Sequence, residues 1–199
     1  MEKVQSNKSY FETTFKNISL PAFTCTDSEF ESCEFIDCDF SQSTFKHCKF
    51  LDCTFRQCNL SLLQTPQTRF FETEFTNCKL VGVDWTQAYW PPYYPDPDLK
   101  FYECILNDSS MFGLTLTGLV LESCKLHDVD FREGNFSGAT MTDCDFTNSL
   151  FMRTNLQSVD FTDSVNYTIH VLENQVQQAR FSRFEALSLL ETLGIELAD

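Results

Sequence analysis

The sequence predicts an all-β solenoid whose coils have four short sides, closed at the C-terminal end by an α-helix. Three observations predict it: a large apolar residue returns every five positions, nearly all cysteines stand two positions before it, and like residues recur twenty positions apart. A period of five fits neither the 3.6-residue α-helix nor the two-residue alternation of an ordinary strand. A stack of coils whose sides are each five residues long accounts for this period.

The large residue, which we call the centre of each five-residue unit, recurs in two runs. The first run reads Tyr10, Phe15, Leu20, Cys25, Phe30, Phe35, Phe40, Phe45, Phe50, Phe55, Leu60, Thr65, Phe70, Phe75, Leu80 and Trp85. The second reads Phe101, Leu106, Met111, Leu116, Leu121, Leu126, Phe131, Phe136, Met141, Phe146, Phe151, Leu156 and Phe161, and its frame continues through Asn166, Val171, Val176 and Phe181. We therefore expect the repeat to cover residues 10–181, after an N-terminal tail of residues 1–9.

The cysteines follow the same frame. Nine of the ten stand two positions before a centre: Cys33, Cys38, Cys48, Cys53, Cys58, Cys78, Cys104, Cys124 and Cys144. Zinc ligands usually come as C-x2-C pairs, and this spacing differs. We predict small core residues rather than a metal site or a redox switch. The twenty-residue spacing of Cys38, Cys58 and Cys78 indicates four sides per coil.

The repeat is interrupted at about residues 86–100. Pro91, Pro92, Pro95 and Pro97 remove backbone donors that stacked coils need, so a bulge or loop is expected here. The segment also holds aromatic and acidic residues, namely Tyr89, Trp90, Tyr93, Tyr94, Asp96 and Asp98. Two interpretations remain open: the rings contact a partner, since Trp and Tyr are enriched in interface hot spots, or they cover the core where a coil is interrupted.

The C-terminal residues 182–199 change from the repeat to a helical pattern. Ser182 and Glu185 fit a capping box at the start of a helix, and Gly194 fits a stop signal. The apolar stripe comprises Phe184, Leu187, Leu189, Leu190 and Leu193. An open solenoid end needs a cap. This helix either only plugs the end or also joins two rods tail to tail as a homodimer, and the width of the stripe favours the dimer.

Charge and motifs restrict the function. The formal net charge of −15 disfavours direct binding to nucleic acid or to an anionic membrane. The N-terminus has no signal-peptide pattern and no stretch is long enough to span a membrane, so we expect a cytoplasmic protein. No catalytic or nucleotide-binding motif occurs, and the three histidines share no frame position. We expect no catalytic residues, no cofactor and no metal.

Acidic residues repeat in the second half of the chain. Residues 101–199 hold 15 acids and 5 bases, against 14 and 9 in residues 1–100. The acids assigned to a partner-binding surface are Glu103, Asp108, Asp128, Asp130, Glu133, Asp143, Asp145 and Asp163, and six of them stand two positions after a centre. On a wound rod such residues form rows that can imitate a phosphate track. The alternative is that Asp simply suits tight turns and aids solubility.

The segments CEFIDCDF, CKFLDCTFRQCNL and CDFTNSLF closely resemble the pentapeptide-repeat family. That resemblance implies a right-handed quadrilateral β-helix. The segments FRQCNLSLLQTPQTRF, NCKLVGVDWTQAYWP and ARFSRFEALSLLETLGIELAD resemble most closely the albicidin-resistance members of the family and, more distantly, the quinolone-resistance members. The resemblance implies a cytoplasmic homodimer that imitates duplex DNA, binds DNA gyrase or topoisomerase IV and protects it from poisons. The alternative is a structural scaffold with an unrelated protein partner.

Overall fold

A computed structural model describes residues 3–93, 96–196 and 198. The chain forms a right-handed quadrilateral β-helix of about nine coils with a short C-terminal helix, which confirms the predicted fold class. Coils pair in parallel at a spacing of twenty residues, as in Phe30 with Phe50 and Leu121 with Met141. Each residue of a regular coil therefore lies above the residue twenty positions before it.

The strands are short because each side of a coil contributes only a few residues. They are β1 (Ser9–Phe11), β2 (Thr14–Lys16), β3 (Thr24–Thr26), β4 (Glu29–Glu31), β5 (Glu34–Ile36), β6 (Thr44–Lys46), β7 (Lys49–Arg56), β8 (Arg69–Thr76), β9 (Leu99–Tyr102), β10 (Val120–Glu122), β11 (Thr140–Thr142), β12 (Asp160–Phe161) and β13 (Arg180–Phe181). A 3-10 helix spans Trp85–Gln87, and the single described α-helix, α1, spans Leu187–Glu191. The longest stack runs β1-β4-β7-β8-β9-β10-β11-β12-β13, while β2 pairs with β5, β5 with β7, and β3 with β6.

We number the four sides of the coil by their centres. In the coil after the interruption, side one is centred on Phe101, side two on Leu106, side three on Met111 and side four on Leu116. Because the sides follow one another around a square, sides one and three are opposite, and so are sides two and four.

The corner residue, two positions after a centre, turns the chain from one side to the next. It takes a positive φ at most corners of the rod, for example 59° at Asp108, 59° at Glu133 and 53° at Asp143. Asp and Asn tolerate this left-handed conformation better than most residues. Backbone geometry alone therefore favours Asp and Asn at the corners, whatever else they do.

The core consists of aromatic ladders, as the five-residue frame predicts. All fifteen Phe centres of the two runs are buried. Rings in successive coils stack face to face, with centroids 4.9 Å apart for Phe15 and Phe35 and 4.5 Å apart for Phe35 and Phe55. Rings on neighbouring sides meet edge to face, as Phe30 and Phe35 do at 5.5 Å. Both arrangements suit the aromatic quadrupole.

The cysteines confirm the prediction of small core residues. All ten are free and buried. Six of them form one continuous ladder before the centres of side two: Cys38, Cys58, Cys78, Cys104, Cys124 and Cys144. Their thiols donate to main-chain carbonyls, as Cys58 does to Phe35 O at 3.4 Å. The thiol is thus small enough to sit beside a stacked ring and still satisfies its weak donor.

Both ends of the rod depart from the predicted frame. Val4 is buried and the amide of Asn7 donates to Thr26 O, so residues 3–8 pack on the first coil instead of forming a loose tail. Near the other end, Phe151 pairs with Ile169, eighteen residues later instead of twenty. Tyr167 and Ile169 therefore point inward, and the predicted centres Asn166 and Val171 do not.

The predicted capping box is wrong. Ser182 Oγ accepts from the amide of Asp163 at 2.8 Å and so serves the last coil, not the helix. Helix α1 begins only at Leu187, after Ala186, which has no side-chain cap. The predicted stop is confirmed, since Gly194 has a φ of 75° and its amide donates to Glu191 O.

The ladder can be tested with Phe35→Ala. Phe35 is fully buried between two stacked rings, and its truncation leaves a cavity, so we expect a loss of about 3–5 kcal/mol in the free energy of unfolding. Denaturant unfolding measures it. Phe11→Ala is the matched control, because Phe11 is 61% exposed and its removal should cost under about 0.5 kcal/mol. Equal losses in the two variants would contradict the ladder as the main source of stability.

Candidate partner-binding surface

The structure distributes the eight predicted acids over three corners and two sides. Glu103, Asp143 and Asp163 lie at the corner between sides one and two, where Ser123 fills the remaining coil. Asp108 and Asp128 lie at the corner between sides two and three. Glu133 lies at the next corner, Asp130 on side three and Asp145 on side two. The acids thus form two short columns that flank side two, and not one continuous row.

Three of the eight carboxylates are paired with a basic side chain. Asp130 accepts two hydrogen bonds from Arg132, at 2.9 and 2.8 Å. Glu133 forms an ion pair with Arg153 of the next coil. His127 Nε2 lies 2.8 Å from Asp145 Oδ2. These acids offer less free charge to a partner than the sequence suggests.

Two of the paired carboxylates, Asp130 and Asp145, are also held in the ionised form. Hydrogen bonds from Arg132 lower the pKa of Asp130. Partial burial acts to raise the pKa of Asp145, but hydrogen bonds from Asn166, Thr147 and His127 outweigh it and leave that pKa well below its ordinary value. Both groups stay charged at neutral pH and contribute to local structure.

The other five acids are exposed and have no basic partner among the described residues. Asp143 accepts from Ser123 Oγ at 2.8 Å, and Asp163 accepts from Ser182 Oγ at 3.1 Å. All five lie at the two corners that border side two. We call the surface that they form the acidic side: Glu103, Asp108, Asp128, Asp143 and Asp163. Before the interruption the same two corner columns contain a single acid, Asp37. The acidic side is therefore confined to the second half of the rod.

Side four is different in the same half of the rod. Its outward residues after the interruption are all uncharged, and we call this surface the neutral side: Thr115, Thr117, Gly118, Asn135, Ser137, Gly138, Asn155, Gln157, Ser158, Gln175, Gln177 and Gln178. Amides and hydroxyls bond along it, as Gln157 does to Gln177 at 3.1 Å and Ser158 to Gln178 at 3.2 Å. Counting charges over each half of the chain does not reveal this surface, because its residues come together only through the twenty-residue register.

The interruption is a six-residue insertion in side four. Phe75 pairs with Phe101, 26 residues on, where a regular coil has 20. Residues up to Trp90 still follow the coil: Trp90 stacks on Phe70 with centroids 6.3 Å apart, and its Nε1 donates to Trp85 O at 2.8 Å. Trp90 therefore covers the core, and the extra residues leave the rod between Trp90 and Pro97. The break is narrower than the predicted 86–100.

The inserted loop exposes one ring fully and bounds a groove. Tyr93 is 90% exposed and Tyr89 is 46% exposed, while Tyr94 lies outside the described residues. A groove of about 430 Å³ separates the loop base, Ala88–Pro92, from residues 113–115 of the next coil. Its walls include the Trp90 ring, two prolines and Leu114. This is an apolar recess beside an exposed tyrosine.

The two acids of the segment hold the loop in place. Asp96 Oδ1 accepts from the amide of Asp98 at 2.9 Å, and Asp98 pairs with Lys100 at 2.9 Å. Asp96 also lies against Gly118: a Cβ there would be 2.7 Å from Asp96 Oδ2, and the φ of 71° suits glycine. These carboxylates serve the loop itself, which leaves Tyr93 and the groove as its exposed features.

The predicted binding elements face in opposite directions. The acidic side flanks side two, and the loop leaves side four, which is opposite to it on the coil. A flat surface laid against side two would not reach the loop.

The C-terminal stripe is mostly uncovered. Leu189 is partly buried and packs against the core. The rest of the stripe is exposed, with Phe184 at 82%, Leu187 at 45%, Leu190 at 37% and Leu193 at 41%. A helix that only plugged the solenoid would bury more of these side chains, so the end offers an apolar surface.

Within residues 3–93, 96–196 and 198, no three His, Cys, Asp or Glu side chains are placed to hold a metal ion. No helix in the same ranges is both long enough and apolar enough to cross a bilayer.

Comparisons with known proteins agree with this architecture. The profile of a family described as "pentapeptide repeat region" matches residues 28–93 and 97–161. A trypsin-treated variant of QnrB1, a plasmid-mediated fluoroquinolone resistance protein, is 18% identical with a TM-score of 0.72 over 96% of this chain and 99% of that chain. A second trypsin-treated QnrB1 variant is 19% identical with a TM-score of 0.62 over 96% and 100%. No curated protein sequence matches the chain. These solved structures share the fold.

The loop can be tested by limited proteolysis. Chymotrypsin cuts after exposed aromatic residues, and Tyr93 is the most exposed ring of the described residues. We expect the first cut to follow Tyr93, with both fragments remaining together because coils pair across the loop. Mass spectrometry of the digest and size-exclusion chromatography measure this. Tyr93→Ser is the control that should slow this cut, and a first cut inside the coils would contradict the description.

Proposed function

The chain belongs to the pentapeptide-repeat family, and from this premise we propose that it is a non-enzymatic antibiotic-resistance protein of the cytoplasm. It binds DNA gyrase or topoisomerase IV through a surface that imitates duplex DNA, and it protects the enzyme from poisons of the albicidin or quinolone type. The target comes from the resemblance of the sequence to topoisomerase-protecting members. The likeness in fold to a fluoroquinolone resistance protein supports it.

The acidic side is the observation that carries this proposal. Its five carboxylates are exposed and have no basic partner among the described residues, so their charge is available to a partner. Coils lie about 4.8 Å apart, so the acids within a column stand one or two coil spacings apart along the rod, and this gives a line of negative charge as a nucleic-acid backbone does. The natural counterpart is a basic groove that otherwise holds DNA.

The mechanism needs no chemistry. A basic groove attracts the acidic side at long range, which speeds association and makes binding weaken as salt rises. Once bound, the rod occupies or remodels the surface on which the drug, the DNA and the enzyme form their complex. The drug then loses part of its site and dissociates.

The exposed C-terminal stripe supports a homodimer as the active form. A second copy would cover Phe184, Leu187, Leu190 and Leu193, which a monomer leaves in water. About nine coils give a rod of roughly 40 Å, and two joined tail to tail give roughly 80 Å. The acidic sides lie in the half nearest the joint, so the dimer would present its densest charge at the centre.

Charge reversal tests the acidic side. The triple variant Glu103→Lys, Asp128→Lys and Asp143→Lys should abolish rescue of gyrase supercoiling in the presence of albicidin or a fluoroquinolone, because it repels a basic groove. The matched control is Glu12→Lys, Asp52→Lys and Glu72→Lys. These three acids have the same corner conformation, and their substitution changes the charge by the same amount. They lie at the corner after side four, in coils that precede the loop.

The control should protect as the natural protein does, apart from a small long-range effect of net charge. Equal loss in both triple variants would mean that net charge alone acts, and equal protection would reject the DNA-imitating surface. If the natural protein neither rescues nor inhibits gyrase or topoisomerase IV, the alternative role as a scaffold for another protein gains support.

Light scattering tests the dimer. The natural protein should scatter as a dimer, with twice the 23.0 kDa mass of one chain. The double variant Leu187→Glu, Leu190→Glu should have the mass of one chain, because dimerisation would bury two glutamates of each copy against those of the other. Leu62→Glu with Phe112→Glu is the control, since both residues are exposed but lie away from the C-terminal end. A natural protein of monomeric mass would reject the dimer.

A further inference from the structure

A single lysine stands in the middle of the acidic side. Lys125 is exposed on side two, in the coil that lies between the coils of Glu103 and Asp143. Its backbone pairs with that of Asp145 in the next coil. In the coil of Lys125, the corner between sides one and two holds Ser123 where the coils on either side hold acids. The acidic side therefore has a gap in its negative charge, and a positive charge lies beside that gap.

In the coils after the interruption, all of which the structure describes, Lys125 is the one lysine or arginine without an acidic partner. The other bases of these coils each pair with a carboxylate: Arg132, Arg153 and Arg180. The neighbouring carboxylate of Asp145 is already occupied by other side chains. One of its oxygens accepts from Asn166 at 2.8 Å and from Thr147 at 2.7 Å, and the other lies 2.8 Å from His127 Nε2. The ammonium group of Lys125 is thus left for solvent or for a partner.

An exposed, unpaired lysine at this place affects which surface can bind the acidic side. A groove that is basic throughout attracts the surrounding carboxylates but repels the ammonium group, and like charges at an interface disfavour a partner. A groove that carries one carboxylate opposite Lys125 would instead form a charge-assisted hydrogen bond with it. The lysine therefore distinguishes between two grooves that would attract the acidic side equally well at long range.

On the basis of the proposed function, we propose that Lys125 is a specificity-determining residue, which pairs with a carboxylate of the topoisomerase inside the basic groove that receives the acidic side. Enzymes that act on DNA phosphates hold divalent cations with carboxylates beside those phosphates, so such a groove offers acidic residues among its basic ones. The pairing selects this enzyme over other DNA-binding proteins. It also fixes the position of the rod along the groove, because only one register brings the lysine to the carboxylate.

The experiment measures the Kd of the fluorescently labelled full-length protein for intact gyrase or topoisomerase IV and, separately, for polylysine, which is basic throughout. Lys125→Gln removes the charge, and Lys125→Arg keeps it. Lys79→Gln is the matched control, because Lys79 is exposed in the same column of side two, two coils earlier, and has no acidic partner among the described residues. The corners beside it hold Asn77 and Gly82, so it lies outside the acidic side. Thermal melting verifies that each variant folds.

We expect Lys125→Gln to bind polylysine more tightly than the natural protein does, because a repelled charge is gone, and to bind the topoisomerase about tenfold more weakly, because a carboxylate is left unpaired. Lys125→Arg should stay within about threefold of the natural protein for both ligands, and Lys79→Gln should not weaken topoisomerase binding.

The sign of the effect on the topoisomerase decides the question. If Lys125→Gln binds the enzyme as tightly as the natural protein or more tightly, or if Lys79→Gln loses as much affinity as Lys125→Gln, the pairing is refuted. The proposed function would still stand in that case, provided that the acidic triple variant fails to bind. If the natural protein itself does not bind either enzyme, the proposed function fails and this pairing fails with it.

Discussion

The parallel pairing of successive coils is the constraint on which the rest of the structure depends. Each backbone rung places a residue directly above the one twenty positions before it, so every choice of residue is repeated as a column. Inward columns become the Phe ladders and the cysteine ladder, and outward columns become the acidic side and the neutral side. Burial, charge and register are thus three consequences of one hydrogen-bonding pattern.

Much of the fold could be predicted because the core has a strict period. Fifteen Phe and nine Cys in two runs of the same five-residue repeat indicate the four-sided coil, and burial agrees with that repeat at almost every position. The frame failed near Phe151, which pairs with Ile169 eighteen residues later, although the spacing returns to twenty at Asn155 and Gln175. Counting in fives predicts Asn166 and Val171 as centres, whereas Tyr167 and Ile169 are the apolar residues that reach the core. No turn signal in the sequence marks this local change of register.

The candidate surface was less predictable, since it depends on which column a residue joins. Glu103 and Glu133 have the same position in the repeat, yet they lie at different corners and only Glu133 meets an arginine. The opposite placement of the loop and the acidic side follows from counting sides, a step that local reasoning about charge and aromatic content omits. The capping box failed for a related reason, because the last coil offered Ser182 a better partner in Asp163.

The left-handed corner residues allow the surface charge of the protein to vary separately from its fold. Their side chains face water, and their backbone conformation accepts Asp, Asn, Glu, Gln, Ser, Gly and Arg along this one chain. A corner can therefore change its charge while the inward ladders keep their packing. Evolution can redraw the electrostatic pattern of such a rod one position at a time, almost independently of its stability, and so fit one architecture to successive targets.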